Sequence, residues 1–212
     1  MKFDRDALRR SGEDRNPGAP TTPRQAASVI LLRGGAAHVE VLLVKRNPQA
    51  RFMGGAWVFP GGAVDVEEGQ GDGAHRAAAV RELAEEAGVW MEDATGLVKF
   101  SRWITPAEVK TRYDTHFFLA AVPDGAEPRP DGAETVDARW FAPRAALDAH
   151  AAGEILLVFP TIKHLEQLNG FSSVDELVDH ARGRDVVPVQ PRVLVTGETA
   201  RIVLPGEPGY ED

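Results

Sequence analysis

The 212-residue sequence predicts a mixed α/β fold with one core domain, either a layered sandwich or an α+β arrangement. Two observations lead there. Six short runs rich in β-branched and aliphatic residues are interleaved with few helical patterns. Hydrophobic residues at 43% and charged residues at 26% are ordinary for a globular protein, and the length suits one well-buried domain with appendages.

Residues 1–24 carry many charges, an Asn16-Pro17-Gly18 turn signal and a P-T-T-P run without sustained apolar periodicity, so a flexible arm is expected. ASVILLR (27–33) and HVEVLLVKR (38–46), separated by Gly34-Gly35, read as a hairpin. A-W-V-F (56–59) is a short strand stopped by P-G-G. A glycine-rich acidic loop then leads to a helix over 74–87, ended by Gly88. Strands follow at 97–104, 116–122 and 136–142, with a short helix from Pro143. Residues 151–212 read as a mostly helical extension packed on the 25–150 core. PTIKHLEQLNGF is helical in pattern, Ser173 to Glu176 is a capping box, and VLVT with RIVL suggests a closing hairpin. No internal repeat or low-complexity tract is evident.

Composition narrows the chemistry. The absence of cysteine removes disulfides, thiolate zinc sites and thiol nucleophiles, so a bound metal must be held by oxygen or imidazole. A net charge of −8 disfavours binding to nucleic acid phosphates. The charged start lacks a signal-like apolar run and no stretch is long enough to span a bilayer, which predicts a cytoplasmic protein without a membrane partner.

The segment R-E-L-A-E-E-A-G-V (81–89) places three glutamates within one and a half helical turns, where like charges four apart repel. At about 100° per residue, Glu82, Glu85 and Glu86 share one face. The same wheel makes Ala77, Val80, Leu83, Ala84 and Ala87 the buried stripe, and puts Ala74 and Ala78 on the acidic side, leaving room for a ligand. A solvated face gains from alternating charge signs, whereas this one concentrates negative charge beside a glycine-rich loop. A hard divalent cation, which takes carboxylate oxygens and keeps waters for phosphates to replace, accounts for that better. No D-x-D-x-D-G loop supports a calcium-binding helix of the EF-hand type.

These residues resemble the Nudix signature: a glycine, five residues, a glutamate, seven residues, then R-E-U-x-E-E-x-G-U with U a bulky aliphatic. Arg81, Glu82, Leu83, Glu85, Glu86, Gly88 and Val89 fill every fixed position of its second half. Gly62 and Glu68 fill the first half, and the gap to Arg81 carries about five extra residues, with Asp72 competing for the role of Glu68. The resemblance implies an α/β/α sandwich with a mixed sheet, and Mg²⁺- or Mn²⁺-dependent hydrolysis of the diphosphate bond in a nucleoside diphosphate linked to X. Retention of all three glutamates argues against a non-catalytic nucleotide-binding module.

A narrower resemblance points to the coenzyme A diphosphatase branch. Leu42-Leu43-Val44-Lys45-Arg46-Asn47, Arg51, Gly55 and Phe59-Pro60-Gly61-Gly62 keep that branch's spacing, joined by Asp65 and the R-Y-D-T-H-F-F run from Arg112. The family also implies alternatives for X: ADP-ribose, NADH and dinucleoside polyphosphates. Dimers are frequent in it, so a homodimer is one expectation.

Roles follow from the same resemblance. Glu82, Glu85 and Glu86 are the metal ligands, with Glu82 also placed as a base. Arg81 orients a glutamate through a bidentate bridge, and Glu134, in a loop before a strand, supplies an extra base or ligand. Arg46, Arg51, Gly61, Gly62, Glu68, Arg112 and Asp114 are the candidate substrate contacts. Trp57, Phe59 and Phe117 read as core, and His75 and His116 as structural or solvated. Specificity is expected to lie outside the signature, with FPTIKHL and LPGEPGY as the segments to watch.

Overall fold

The computed structural model describes residues 2–4, 16, 18–196 and 199–211. The strands are β1 (Lys2–Asp4), β2 (Arg24–Arg33), β3 (Glu40–Arg46), β4 (Ala56–Val58), β5 (Gly61–Ala63), β6 (Val98–Ile104), β7 (Tyr113–Ala121), β8 (Thr135–Phe141), β9 (Leu156–Leu157), β10 (Pro188–Val189), β11 (Arg192–Thr196) and β12 (Thr199–Val203). The helices are α1 (Asp72–Ala87), α2 (Pro143–Ala151), α3 (Phe159–Leu168) and α4 (Val174–Arg182), with a 3₁₀ turn at Val66–Glu68.

A mixed sheet runs β10-β6-β7-β2-β3-β4-β9, with β5 paired to β2 and β8 to β3. Alternation along the central strands divides the core between its faces. Ala27, Val29 and Leu31 of β2, Leu42 and Val44 of β3, and Phe118 and Ala120 of β7 pack under α1 with Ala78, Ala79 and Leu83. Ile30 and Leu32, Val41 and Leu43, and Phe117 and Leu119 face the other way. There they meet Ala146 of α2, Ile162, Leu165 and Leu168 of α3, and Val174 and Leu177 of α4. The chain is thus an α/β/α sandwich. Each fully buried Leu or Ile contributes about 1.5–3 kcal/mol of transfer free energy, so β2, β3 and β7 anchor both faces.

The predicted hairpin is shorter than its sequence suggests. β2 and β3 pair only at Leu32↔Val41 and Arg33↔Glu40. Beyond that, β2 runs parallel to β7 from Arg24 to Leu32, while Ala26 to Ser28 take β5 on the other edge. The two strands splay apart, and the opening between them holds the site.

Two further readings change. The sequence offered no element before Arg24, yet Lys2–Asp4 pairs with Thr199–Arg201 of β12, in a small sheet completed by β11. The end of the expected arm is also tied down, since Thr21 Oγ1 donates to the Lys110 carbonyl at 2.9 Å. The rest of that expectation, over residues 5–15 and 17, lies outside the described residues. The β11–β12 hairpin forms as read, and Ser173 caps α4, its Oγ accepting from the Glu176 N–H at 3.2 Å; the Glu176 carboxylate returns to the N–H of Ser172 at 3.0 Å rather than to that of Ser173, so the expected capping box is shifted by one residue on that side. Among the described residues no helix is long and apolar enough to cross a membrane.

Candidate active site

α1 presents its acidic face to the sheet rather than away from it. Ala74, His75, Ala78, Ala79, Leu83, Glu86 and Ala87 are the buried residues, whereas Ala77 is exposed. The buried arc is therefore centred near Glu86, at about 130° from Arg81, and the expectation that Ala74 and Ala78 leave space for a ligand is not met. The reason is steric. Small alanines let α1 lie close on β2, and this closeness carries Glu82 and Glu86 down to the β5 backbone.

β5 receives them because it has no side chains there. Gly61 N–H donates to Glu86 Oε2 at 2.9 Å. A Cβ on Gly62 would stand 2.3 Å from Glu82 Oε1, and one on Gly61 would lie 2.4 Å from the Ala27 carbonyl oxygen. Neither glycine has positive φ. The sequence marked P-G-G only as the stop of a strand, yet the two glycines open a short strand of their own and are needed for close approach.

Arg81 organises the remaining carboxylates. Its Nε and Nη2 donate to the two oxygens of Glu68 at 3.0 and 3.3 Å, giving the bidentate bridge expected of it. Nη1 donates to Glu82 Oε1 at 2.8 Å and Glu85 Oε2 at 2.9 Å, and Nη2 also donates to the Ala63 carbonyl at 2.9 Å. These partners, Glu68 foremost, hold the guanidinium above its ordinary pKa. Asp72 is elsewhere, paired with Arg76 and Lys99, so of the two only Glu68 meets Arg81.

The cleft beside these groups has a volume of about 360 Å³. That lies within the roughly 300–1,000 Å³ usual for small-molecule sites. Glu82, Glu86, Glu134, Arg46, Gly61 and Gly62 line it. Burial pushes the Glu86 carboxyl up to about 7, against the pull of Gly61 N–H and Arg46, and the negative charges of Glu82 and Glu134 add to the rise. Burial also raises Glu82 more than Arg81 lowers it, with Glu85 and Glu134 contributing. Arg46 Nη1 stands 3.7 Å from Glu86 Oε1, and its Nε is buried with no hydrogen-bond partner among the described residues.

This donor set fits a divalent cation and a phosphate. Two carboxylates raised by burial and mutual repulsion would be relieved by positive charge, and the unpartnered Arg46 Nε suits an anionic oxygen. Among the described residues no three His, Asp or Glu side chains converge closely enough to enclose an ion. Glu82, Glu85 and Glu68 are instead gathered by Arg81, and Glu86 by Gly61. Glu85 is the outermost of the helix triad, with a side chain 58% exposed against 13% for Glu82 and 4% for Glu86.

Other expected contacts stand apart from the cleft. Arg51 is exposed and does not line it. Arg112 is buried but donates to the carbonyls of Thr105 at 3.0 Å and Thr21 at 2.5 Å, so it satisfies loop backbone. Asp114 takes two hydrogen bonds from Arg102, at 2.7 and 2.6 Å. His75 and His116 stack at 3.8 Å, with His75 also bonded to Gln25 and the Gly71 carbonyl, and are structural as read. Phe59 and Phe117 are core residues that also form cleft wall.

Phe52, Met53, Tyr113 and Thr105, which the sequence did not single out as site residues, also line the cleft. Met53 is the one described non-glycine residue with positive φ, at 53°, a strain that marks its loop as constrained. The flanking Gly54-Gly55 was the available signal. Of the two downstream segments, Pro160 and Thr161 of FPTIKHL reach the cleft, whereas LPGEPGY does not.

The comparisons agree with this geometry. The family model described as NUDIX domain matches residues 22–159. "Putative nudix hydrolase 7" of Caenorhabditis elegans is 28% identical, over 89% of this chain and 75% of its own. "Acyl-coenzyme A diphosphatase NUDT19" of Homo sapiens is 24% identical, over 92% of this chain and 82% of its own. The crystal structure of a NUDIX hydrolase from Alicyclobacillus acidocaldarius superimposes with a TM-score of 0.68 at 28% identity, over 75% of this chain and 96% of that one. A glutamate-bearing helix docked on a glycine strand, in a sandwich of this topology, and a family match over most of the chain establish that the protein belongs to the Nudix hydrolases.

Proposed function

We propose that this Nudix hydrolase cleaves the diphosphate of coenzyme A or an acyl derivative, with Mg²⁺ or Mn²⁺ as cofactor, giving 3′,5′-ADP and a 4′-phosphopantetheine species. The observation that carries the hydrolytic part is the cleft at Gly61 and Gly62. There the buried carboxyl groups of Glu82 and Glu86 stand beside Arg46, whose Nε has no hydrogen-bond partner among the described residues. The choice of coenzyme A is supported by the Arg46 to Gly62 spacing and by the human acyl-coenzyme A diphosphatase, which aligns over 92% of this chain.

In this reading the metal, when bound, neutralises phosphate charge and lowers the pKa of a coordinated water. The protein's part is to supply the ligands Glu82, Glu85 and Glu86. Arg81 fixes Glu82 and Glu85, and through Glu68 it ties α1 to the loop before it. Glu134 lines the cleft close enough to Glu82 and Glu86 to raise both, a location suited to accepting a proton from water. Arg46 is placed to bind a phosphate oxygen.

The test is incubation with Mg²⁺ or Mn²⁺ and a panel of coenzyme A, ADP-ribose, NADH and dinucleoside polyphosphates, with products identified by mass. Preferred release of 3′,5′-ADP supports the reading. Turnover of another compound more than about a hundredfold faster by kcat/KM, roughly 2.7 kcal/mol of barrier, overturns the choice of coenzyme A.

A further inference from the structure

Beside the cleft lies an annex of about 90 Å³, part of whose wall comes from the C-terminal hairpin. Phe52, Met53, Thr105, Thr115, Phe117 and Pro160 line both spaces, so the two adjoin along these side chains. Beyond them the annex is walled by Trp103 of β6, Val109, Phe159 of α3, Pro191, Val193 of β11 and Ile202 of β12. Val193 and Ile202 face each other in register across the hairpin. A hairpin buried only for stability would be expected to close on β6 and α3 without a gap, since protein interiors are close-packed.

We propose that this annex receives the acyl end of a short-chain acyl-coenzyme A, an assignment that rests on the coenzyme A reading above. Distance supports it. Ala63, beside Gly62, is in register with Ala26, which is in register with Thr115, which is in register with Trp103. Three inter-strand steps at 4.7–4.9 Å place the annex about 14 Å from the carboxylate cleft. An extended chain advances about 3.3–3.6 Å per three backbone bonds, so the arm of about a dozen bonds between the diphosphate and the sulfur also reaches about 14 Å.

Chemistry supports it as well. Among the described residues the walls are mostly aromatic and aliphatic, with the hydroxyls of Thr105 and Thr115 on the side shared with the cleft and no charged side chain, which suits a short hydrocarbon chain better than a sugar, most of whose hydroxyls would find no partner. The small volume limits the chain to a few carbons. The hairpin that builds part of the wall thereby acts as a specificity element for the hydrolase.

The experiment compares kcat/KM for coenzyme A and its acetyl, butyryl, hexanoyl and palmitoyl thioesters, with ADP-ribose as a reference. Each buried methylene is worth about fourfold in binding. The value should therefore rise at least about tenfold from acetyl to butyryl and level off or fall for longer chains. In Ile202→Phe, which fills the annex, the butyryl-to-acetyl ratio should fall towards one while the acetyl thioester is still cleaved. Should that variant fail to fold, Val193→Leu makes the same test with one added methylene. A flat series in the parent protein, or a ratio unchanged in the folded variants, overturns the annex assignment alone. Cleavage of ADP-ribose with no turnover of any coenzyme A species overturns the coenzyme A reading, and the annex assignment with it.

Discussion

Gly62 and Glu82 occupy overlapping space: a single added methyl on the glycine would sit 2.3 Å from a Glu82 carboxylate oxygen. The strand and the helix are thus fitted to each other at atomic contact, and the adjacent glycine is fitted differently. A Cβ on Gly61 would meet backbone, 2.4 Å from the Ala27 oxygen and 2.6 Å from Ser28 Cα.

The two glycines should therefore fail in different ways. Gly62→Ala can be accommodated by moving the end of a flexible side chain, so stability should change by less than about 1 kcal/mol while kcat falls at least tenfold, because Glu82 is displaced. Gly61→Ala must push β5 off β2 and should cost about 2 kcal/mol or more. Chemical denaturation of both variants, alongside their turnover numbers, checks the contrast. Equal stabilities would show that β5 is not pinned to β2 as described.

Arg81→Lys keeps a positive charge but cannot reproduce five donations to Glu68, Glu82, Glu85 and Ala63. A loss in kcat of at least about tenfold is expected, together with a modest stability loss of about 1–2 kcal/mol, kept small by the partial exposure of the site. Unchanged kinetics would mean that the fork does not position the glutamates.

Much of this was legible in the sequence for identifiable reasons. β2, β3 and β7 could be read because each alternates between two buried faces and is rich in Val, Ile, Leu and Phe. α1 ended where Gly88 adopts the left-handed conformation, at φ 64°. The buried side of α1 could not be read, because a helix rich in alanine gives periodicity little contrast and the sheet accepts glutamates only through two glycines on another element. The Arg102 to Asp114 pair was invisible for a related reason: it depends on the β6–β7 register, which sets Ile104 opposite Asp114 and leaves Arg102 diagonal to it on the neighbouring strand. Phe52 and Met53 line the cleft because of a loop conformation for which Gly54-Gly55 signalled a turn but not the direction of the side chains.

Stability should depend on pH through a buried imidazole. Complete burial, assisted by the charge of Arg184, pushes the His164 ring down to about 3, among the rings of Phe59, Phe117 and Trp103. The unfolded chain takes up this proton near 6.5 and the folded chain does not until far lower pH. This contribution is thus fully present above about 6.5 and is lost as pH falls towards 3, by up to about 1.4 kcal/mol per unit. Denaturation of the parent and of His164→Phe at pH 7, 6 and 5 should show the parent losing stability more steeply. Parallel profiles would contradict the burial of a neutral ring.

Glu134→Gln separates base from ligand. A neutral amide cannot accept the proton, so kcat should fall about tenfold or more, while the Mg²⁺ concentration giving half-maximal activity should shift by less than about threefold. A large shift in metal dependence would make Glu134 a ligand instead.

Glu86→Gln probes whether the helix glutamates hold a divalent cation. The substitution keeps shape but exchanges an anionic ligand for an amide in a group that is 3% exposed. Titration calorimetry with Mg²⁺, paired with kcat at saturating metal, should show weakened binding and a fall of at least about a hundredfold, roughly 2.7 kcal/mol of barrier. The metal-free variant should be at least as stable as the metal-free parent, because repulsion among Glu82, Glu86 and Glu134 is relieved. A folded Glu86→Gln protein with the parent's Mg²⁺ affinity and kcat would contradict the assignment of the site.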